Sequence, residues 1–177
     1  MTVAPRREPD QAWLTRRCTS LGEGAWLRGR PYVSNLGSLT IGSRFRCAAT
    51  PVISHLVTVQ PGVLMIGDDV SISYGAAIYC EIRVRIGDGS RLGPYIVLSD
   101  SSFHVVGDLL ARPKPQPVEI GRGVKIGARV TILPGTIIGD GATVAAGSTV
   151  RGTVAAGAVV SGVPAMVQRL SEPEHPI

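Results

Sequence analysis

The chain has 177 residues, of which 44% are hydrophobic, 18% are charged and 5% are aromatic, and its formal net charge is +5 at pH 7. This much aliphatic surface with modest charge excludes a disordered chain, and no segment reaches the ~18 uninterrupted apolar residues of a membrane span. The 22 Gly and 13 Pro form about a fifth of the chain, but Gly does not recur at every third position, which excludes a collagen helix. An aliphatic core with few rings predicts thin, repeated layers in a single domain.

The N-terminal segment, residues 1–30, has no apolar region of the kind found in secretory signals. Within it, residues 7–18 predict a short helix with Trp13 and Leu14 turned inward. The three cysteines of the chain are odd in number and follow no motif spacing, which argues against a disulfide framework and a zinc site. We therefore expect a reduced, cytoplasmic protein. The positive net charge suits a phosphate-bearing partner. No run of basic residues has interleaved aromatic residues, so nucleic-acid binding is not expected.

Residues 31–163 carry a repeat of six residues that is most regular from Ile120 onward. The unit is a small or branched residue, any residue, an aliphatic residue, usually Gly, and two residues that tolerate turns. Upstream, the period shifts by two positions after Val84 and is weaker before Ile66. The repeated positions are Ile41, Cys47, Ile53, Val59, Ile66, Ile72, Ile78, Val84, Ile86, Leu92, Leu98, Ile120, Ile126, Ile132, Ile138, Val144 and Val150.

A period of six excludes a helix, because it is not a multiple of 3.6 and Gly at this density would cost about 1 kcal/mol per helical position. Short β-branched strands separated by Gly-containing turns satisfy the pattern. Three units would form one triangular coil of about 18 residues, with the aliphatic side chains stacked inward on those of the next coil. The predicted fold class is therefore all-β, a parallel β-helix of hexapeptide repeats.

An inserted loop at residues 99–117 interrupts the repeat and ends in three closely spaced prolines. Long insertions in a regular scaffold are usually functional. His104 lies in this loop, and a neutral imidazole can accept the proton of a hydroxyl near pH 7. His55 and His175 lie in a weak turn and a Pro-rich tail, and no catalytic role is assigned to them. The chain is predicted to end, at residues 164–177, in a short cap helix over the last coil and a tail.

Two stretches of the sequence carry a resemblance to a known family. Residues 118–141, Val-Glu-Ile-Gly-Arg-Gly-Val-Lys-Ile-Gly-Ala-Arg-Val-Thr-Ile-Leu-Pro-Gly-Thr-Ile-Ile-Gly-Asp-Gly, and residues 162–167, Gly-Val-Pro-Ala-Met-Val, resemble the hexapeptide-repeat acyltransferases. The branch that they resemble contains galactoside, maltose, streptogramin, capsule and lipopolysaccharide O-acetyltransferases. The resemblance implies a left-handed β-helix and a homotrimer whose three active sites lie between neighbouring subunits.

The resemblance also implies the catalytic groups. His104 would be the general base that takes the proton of the acceptor as it attacks the thioester of acetyl-CoA, without an acyl-enzyme. The corner at Gly127 and Ala128 would supply a backbone N–H for the oxyanion. Asp100 is four residues before His104 and could fix the tautomer of the ring. It could equally cap a turn, as Asp often does, and the sequence leaves both roles open.

The acceptor is expected to contact Glu81, which stands where sugar acetyltransferases of this family have an acidic residue that binds acceptor hydroxyls. A carboxylate can accept hydrogen bonds from two hydroxyls, which suits a polyol. Equally, Glu81 could be a solvated turn residue paired with Arg83 or Arg85. Ser73 replaces an Asn of those relatives and is followed by Tyr74, so the acceptor need not be their familiar galactoside or maltose.

For acetyl-CoA as the donor, the resemblance assigns Ala128 to the pantetheine near the thioester and the backbone of Ala146 to the pantetheine amides. Arg151 and Arg169 would lie near the nucleotide, although each could also be an exposed corner residue that aids solubility. Lys125 stands where relatives often have Trp. No metal is implied, because the related γ-class carbonic anhydrases need three zinc-binding histidines and this chain has only three in all, badly spaced.

The predicted function is thus an acetyl-CoA-dependent O-acetyltransferase acting on a hydroxyl of a sugar or sugar-bearing small molecule. One alternative is N-acetylation of an amino sugar by the same groups. The other is a catalytically silent β-helix that serves as a scaffold, and the position of His104 favours an enzyme over this scaffold.

Overall fold

The computed structural model describes residues 10–102, 110 and 113–170 of the chain. These ranges contain one helix, α1 (Asp10–Thr15), and 21 short strands. The strands are β1 (Ser20–Leu21), β2 (Trp26–Arg28), β3 (Tyr32–Asn35), β4 (Ser38–Ile41), β5 (Arg46–Ala48), β6 (His55–Thr58), β7 (Val63–Ile66), β8 (Ser71–Ile72), β9 (Ala77–Cys80), β10 (Arg83–Ile86), β11 (Arg91–Leu92), β12 (Val97–Ser99), β13 (Val118–Ile120), β14 (Lys125–Ile126), β15 (Thr131–Ile132), β16 (Ile137–Ile138), β17 (Thr143–Val144), β18 (Thr149–Val150), β19 (Thr153–Val154), β20 (Ala158–Gly162) and β21 (Ala165–Leu170).

The strands form three sheets, and each strand from β1 to β20 pairs with strands three places away in the chain. Sheet 1 has the order β1-β4-β7-β10-β13-β16-β19, sheet 2 the order β2-β5-β8-β11-β14-β17-β20-β21, and sheet 3 the order β3-β6-β9-β12-β15-β18. The pairing is parallel throughout, except between β20 and β21. The chain therefore winds through the three sheets in turn and forms a parallel β-helix of about seven turns.

The core is the stack of aliphatic side chains that the six-residue period predicts. In the regular run from Ile120 to Val150, all six repeated aliphatic residues are buried. The pairing advances 18 residues from Lys125 to Thr143, as predicted for three hexapeptides. Because each aliphatic side chain contacts its equivalents above and below, burial stabilises each layer by roughly 1.5–3 kcal/mol per side chain.

The weaker repeat before Ile66 predicts two inward-facing positions wrongly. Ile53 is 53% exposed and Val59 is only partly buried, whereas Leu56 is fully buried. The physical reason is the corner at 49–54, which has six residues between β5 and β6, while the next corner of the same edge, 73–76, has four. Because β5 is also one residue longer than β8, the inward-facing position shifts by three residues, from Ile53 to Leu56.

The N-terminal helix confirms the expected inward positions of Trp13 and Leu14, which are 7% and 0% exposed. The Asp10 carboxylate accepts a hydrogen bond of 2.7 Å from the backbone N–H of Leu27, so α1 is attached to the first coil and covers its core. Sheet pairing already begins at Ser20, before the boundary predicted at residue 31. The division into segments remains a prediction about domain organisation.

The C-terminal cap is a strand and not the predicted helix. Residues Ala165–Leu170 form β21, which pairs antiparallel with β20 after a tight turn at Val163 and Pro164. The open edge of β20 offers a row of unpaired backbone N–H and C=O groups, and a strand satisfies them where a helix would not. No helix in the described residues is long and apolar enough to cross a membrane.

Candidate functional site

Corners stacked between sheets 2 and 3 bring five of the predicted site residues together. We call this column the 2–3 edge; it contains the corners at 73–76, 93–96, 127–130 and 145–148. Backbone hydrogen bonds hold each corner on the next, such as those from Tyr95 N to Tyr74 O and from Gly147 N to Ala128 O. The predicted residues on this edge are Ser73, Tyr74, Gly127, Ala128 and Ala146.

Only some N–H groups of this edge can bind a ligand. The N–H of Gly127 donates to the carbonyl of Val144 at 2.8 Å and is therefore occupied by the sheet. The N–H groups of Ala128 and Ala146 have no acceptor within the described ranges. Gly127 instead permits the close stacking, because a Cβ there would lie 2.5 Å from the backbone nitrogen of Ala146. Of the two oxyanion candidates, the available donor is therefore Ala128.

A groove on the outer face of sheet 2 runs beside this edge. Its volume is about 450 Å³, and it passes from Ser73 over Gly127 to Ala146. Lys125 lines it at the position where the resembled family often has Trp. Tyr74, next to Ser73, packs edge-to-face against Tyr95, with 5.4 Å between ring centroids. The groove thus lies beside two unoccupied N–H donors and carries a cationic side chain.

Glu81 lies on a different edge, between sheets 3 and 1, which we call the 3–1 edge. This edge contains the corners at 81–82, 133–136 and 151–152 together with the inserted loop. A second groove of about 400 Å³ occurs here, and the sequence analysis did not identify the polar residues that share it with Glu81. They are Gln60, Tyr79, Ser101 and Ser102.

The Glu81 carboxylate is only partly buried and forms no ion pair or hydrogen bond with the residues that the structure describes. The alternative in which Glu81 pairs with Arg83 is therefore not what the structure shows. The Nε atom of Arg83 instead lies 3.1 Å from Oε1 of Glu119 on the next coil. A half-buried carboxylate in a polar groove can accept hydrogen bonds from ligand hydroxyls.

Asp100 caps the turn at 81–83, one of the two roles that the sequence left open. Its carboxylate is fully buried and accepts backbone N–H bonds of 2.7 Å from Glu81, 2.7 Å from Ile82 and 2.8 Å from Arg83. The backbone carbonyl of Asp100 also accepts a 2.8 Å bond from the N–H of Gln116, which holds the two ends of the inserted loop together. Asp100 thus joins the loop base to the corner that carries Glu81.

The remaining predicted residues are placed as follows. His104 lies outside the described residues. Arg151 is exposed at the 3–1 edge, between β18 and β19. Arg169 pairs with Val159 in the β20–β21 ladder. The structure therefore separates the predicted acceptor residues of a single chain: Ser73 and Tyr74 on the 2–3 edge, Glu81 on the 3–1 edge.

Sequence reasoning missed the charge on the groove face. Arg46 and Arg91 project from sheet 2 in the same register column as Lys125. Each stands immediately before an inward-facing repeat residue, so the six-residue period could have aligned them. No group of three or more His, Cys, Asp or Glu side chains in the described part of the chain could hold a metal ion.

Comparison with known proteins gives concordant results. Residues 117–152 match the family model described as bacterial transferase hexapeptide (six repeats). The chain is 31% identical over 147 residues to the lipopolysaccharide biosynthesis O-acetyl transferase WbbJ of Escherichia coli, covering 77% of this chain and 74% of that protein. It is 26% identical over 164 residues to the galactoside O-acetyltransferase of Escherichia coli, covering 92% and 68%.

Among solved structures, the chain is similar to a mutant of AntD, an N-acyltransferase from Bacillus cereus in complex with dTDP and coenzyme A. The TM-score is 0.79 at 19% identity, and the match covers 94% of this chain and 91% of the other. This likeness shows the fold alone. It agrees with the left-handed β-helix expected from the sequence.

Proposed function

Since the chain belongs to the hexapeptide-repeat acetyltransferase family, we propose that it transfers an acetyl group from acetyl-CoA to a hydroxyl of a sugar or sugar-bearing small molecule. The observation that carries this proposal is the groove beside the 2–3 edge, which Ala146 lines and which Ala128 adjoins through Gly127, both N–H groups having no acceptor among the described residues. Two O-acetyltransferases of Escherichia coli are among the relatives, which favours a hydroxyl acceptor. N-acetylation of an amino sugar is the second candidate, because 63 residues of the chain are 48% identical to an N-acetyltransferase of Staphylococcus aureus.

The donor is proposed to lie along the 2–3 edge. The pantetheine arm would run beside Ala146 and accept hydrogen bonds at its amide oxygens from backbone N–H groups. The N–H of Ala128 would point toward the thioester and stabilise the oxyanion as the tetrahedral intermediate forms. Arg169, in β21 of sheet 2, is proposed to contact the nucleotide end, and Arg151, at the 3–1 edge, is proposed to reach it from a neighbouring copy.

Acid–base chemistry is assigned to His104 on the inserted loop, which accepts the proton of the attacking hydroxyl. The tetrahedral intermediate then collapses, the carbon–sulfur bond breaks, and the departing thiolate of coenzyme A takes up the proton that His104 accepted. Glu81 is proposed to hold neighbouring hydroxyls of the acceptor, because its carboxylate has no partner among the described residues and lines a polar groove.

A homotrimer with active sites between subunits would reconcile these assignments. Within one chain, the 2–3 edge and the 3–1 edge lie on opposite sides of sheet 3. Packing three copies around a threefold axis can bring the 2–3 edge of one copy to the inserted loop of its neighbour. The three cysteines are free thiols, and this supports the cytoplasm as the proposed location.

The proposal is tested by an acceptor screen with acetyl-CoA in which released coenzyme A is read as free thiol. Matched pairs of sugars with a hydroxyl or an amine at one carbon separate O-acetylation from N-acetylation. Release of thiol that depends on a hydroxyl-bearing sugar supports the proposal. Turnover with amino sugars alone would favour the second candidate, and absence of any acetyl-CoA consumption would favour a silent scaffold.

We expect the thiols of the protein itself to react slowly in this assay. Burial raises the pKa of Cys18 to about 11 and that of Cys47 to about 12. Burial and the negative charge of Asp100 raise the pKa of Cys80 to about 12. All three are therefore neutral thiols at pH 8, and the thiolate is the reactive form. Titration with a chromogenic disulfide should give less than one fast-reacting thiol per folded chain and three after unfolding; three fast-reacting thiols in the folded protein would contradict this.

Replacing Glu81 with Gln or Ala is expected to raise KM for the acceptor by at least about tenfold, because each hydrogen bond to a charged group contributes roughly 1.5–3 kcal/mol. The KM for acetyl-CoA should remain unchanged. Glu119→Gln is the matched control, since Glu119 is a carboxylate of sheet 1 that pairs with Arg83. A change confined to the KM for acetyl-CoA would remove Glu81 from the acceptor site.

A further inference from the structure

The groove beside the 2–3 edge continues toward the N-terminal coils into a further groove of about 500 Å³, which is lined by sheet 2 and by the corners between sheets 1 and 2. The two grooves share Ser71 and Arg91, so they form one continuous depression, which we call the basic valley. Its charged lining consists of Arg44, Arg46, Arg91, Lys125 and Asp69. The valley is therefore strongly cationic.

Strand register creates this charge. Arg46 pairs with Ser71, Ser71 with Arg91, and Arg91 with Lys125 along β5, β8, β11 and β14. Side chains at paired positions of neighbouring coils project from the same face about 4.8 Å apart. The three cationic side chains therefore form one column, with only the small Ser71 between Arg46 and Arg91.

The column is not compensated by acidic residues. Arg46, Arg91 and Lys125 are exposed and form no ion pair with the part of the chain that the structure describes. The carboxylate of Asp69 is bound by Arg44, whose Nε lies 2.7 Å from Oδ1. Hydrogen bonding to Arg44 is the main cause of the lowered pKa of Asp69, and the charge of Arg46 adds to it. Like charges directly opposite each other in a sheet are destabilising.

Other surfaces of the same β-helix pair their arginines across coils. Arg83 pairs with Glu119 on sheet 1, and Arg122 pairs with Asp140 at the corners between sheets 1 and 2. The fold can therefore place a carboxylate beside an arginine of the next coil. In the column of Arg46, Arg91 and Lys125 it places no such carboxylate, which suits an anion held between the cations.

We propose that the acceptor carries a phosphate or diphosphate group, which binds in the basic valley above Ser71 between Arg46 and Arg91. This inference rests on the proposed function and names its acceptor class, a phosphorylated or nucleotide-linked sugar. Guanidinium groups recognise phosphate oxygens by paired hydrogen bonds, and the Ser71 hydroxyl adds a third donor. Lys125, the next cation of the column, lies on the donor side.

Coenzyme A also carries phosphates, so the same chemistry could come from the donor. The proposed nucleotide contacts of the donor, however, are Arg151 and Arg169, in the last coils. Arg46 and Arg91 lie in coils that precede those of the groove residues Gly127 and Ala146. The proposed nucleotide contacts lie in the coils at the other end of the β-helix. A donor extended toward the C-terminal coils leaves this section to the acceptor.

The test measures binding of inorganic pyrophosphate to the full chain by calorimetry, with and without saturating coenzyme A. We expect saturable binding in both conditions, weakened at least about tenfold by Arg46→Gln and by Arg91→Gln. Arg85→Gln is the matched control, because Arg85 is an exposed arginine of the same coil on sheet 1, and it should leave the affinity unchanged. Circular dichroism verifies that each variant is folded.

Three outcomes would overturn the inference. They are the absence of saturable pyrophosphate binding, an equal loss of binding in the Arg85 control, and complete displacement by coenzyme A, which would assign the valley to the donor nucleotide. Because this assay requires no turnover, it separates the inference from the proposed function. Acetyl transfer to acceptors without phosphate, unaffected by Arg91→Gln, would leave the proposed function in place and remove the phosphate-bearing acceptor class.

Discussion

Replacing His104 with Ala is expected to lower acetyl-CoA-dependent turnover at least ~100-fold, because general base catalysis typically contributes 10²–10⁴-fold. Without the imidazole, the acceptor hydroxyl must lose its proton to water as it attacks the thioester. Binding of acetyl-CoA should be unchanged, since the proposed donor contacts lie along the 2–3 edge. The measurement is steady-state kcat by thiol release, with the oligomeric state checked by light scattering.

The matched control for this variant is His55→Ala. His55 lies on the exposed face of sheet 3, with its ring 5.5 Å from the ring of Tyr32, far along the chain from the inserted loop. Its removal should leave kcat within about twofold. An unchanged rate in the His104 variant, with the variant folded, would remove His104 as the base and direct attention to other groups near Glu81.

Replacing Asp100 with Asn is expected to lower the free energy of unfolding by about 3 kcal/mol. Both carboxylate oxygens of Asp100 accept backbone N–H groups in a fully buried site. An amide keeps one acceptor and directs its own N–H₂ group toward backbone donors, and each buried donor left without a partner costs about 1–3 kcal/mol. Equilibrium unfolding in denaturant, at one fixed protein concentration, measures the change.

Asp140→Asn provides the comparison for Asp100. Asp140 also accepts a backbone N–H, that of Arg122 at 2.8 Å, but it is exposed, so its replacement should destabilise the protein clearly less than that of Asp100. Equal losses in the two variants would contradict the structural importance of Asp100. If Asp100 also orients His104, the folded Asn variant should show a changed pH profile of kcat, which turn capping alone would not produce.

Much of the fold could be predicted from the sequence, because the residues that form each strand and corner are neighbours in the sequence. Each six-residue unit specifies its own short strand and corner, and the inward-facing position recurs every six residues. The burial of Ile126 and Ile132 therefore follows from spacing alone. The same reasoning fails at Ile53, because corner length decides which residue turns inward and a longer corner leaves no periodic signal.

The C-terminal cap shows a second limit of local reasoning. Residues 165–170 were expected to be a helix, but the unpaired edge of β20 offers backbone partners that only a strand can use. Pairing with β20 decides the conformation of this segment. The segment has no six-residue period, so its sequence does not indicate that it will form a strand.

The six-residue repeat of aliphatic and glycine residues by itself determined the layered β-helix, because stacked hexapeptides bury the aliphatic side chains of each coil on those of the next. Tertiary structure alone decided how the site residues are grouped. Asp100 is 17 to 19 residues from the N–H groups that it caps, and Arg91 meets Lys125 only because the inserted loop lies between paired strands. Register between coils depends on the summed lengths of corners and loops, so side chains distant in sequence become neighbours at one edge or on one face of a sheet.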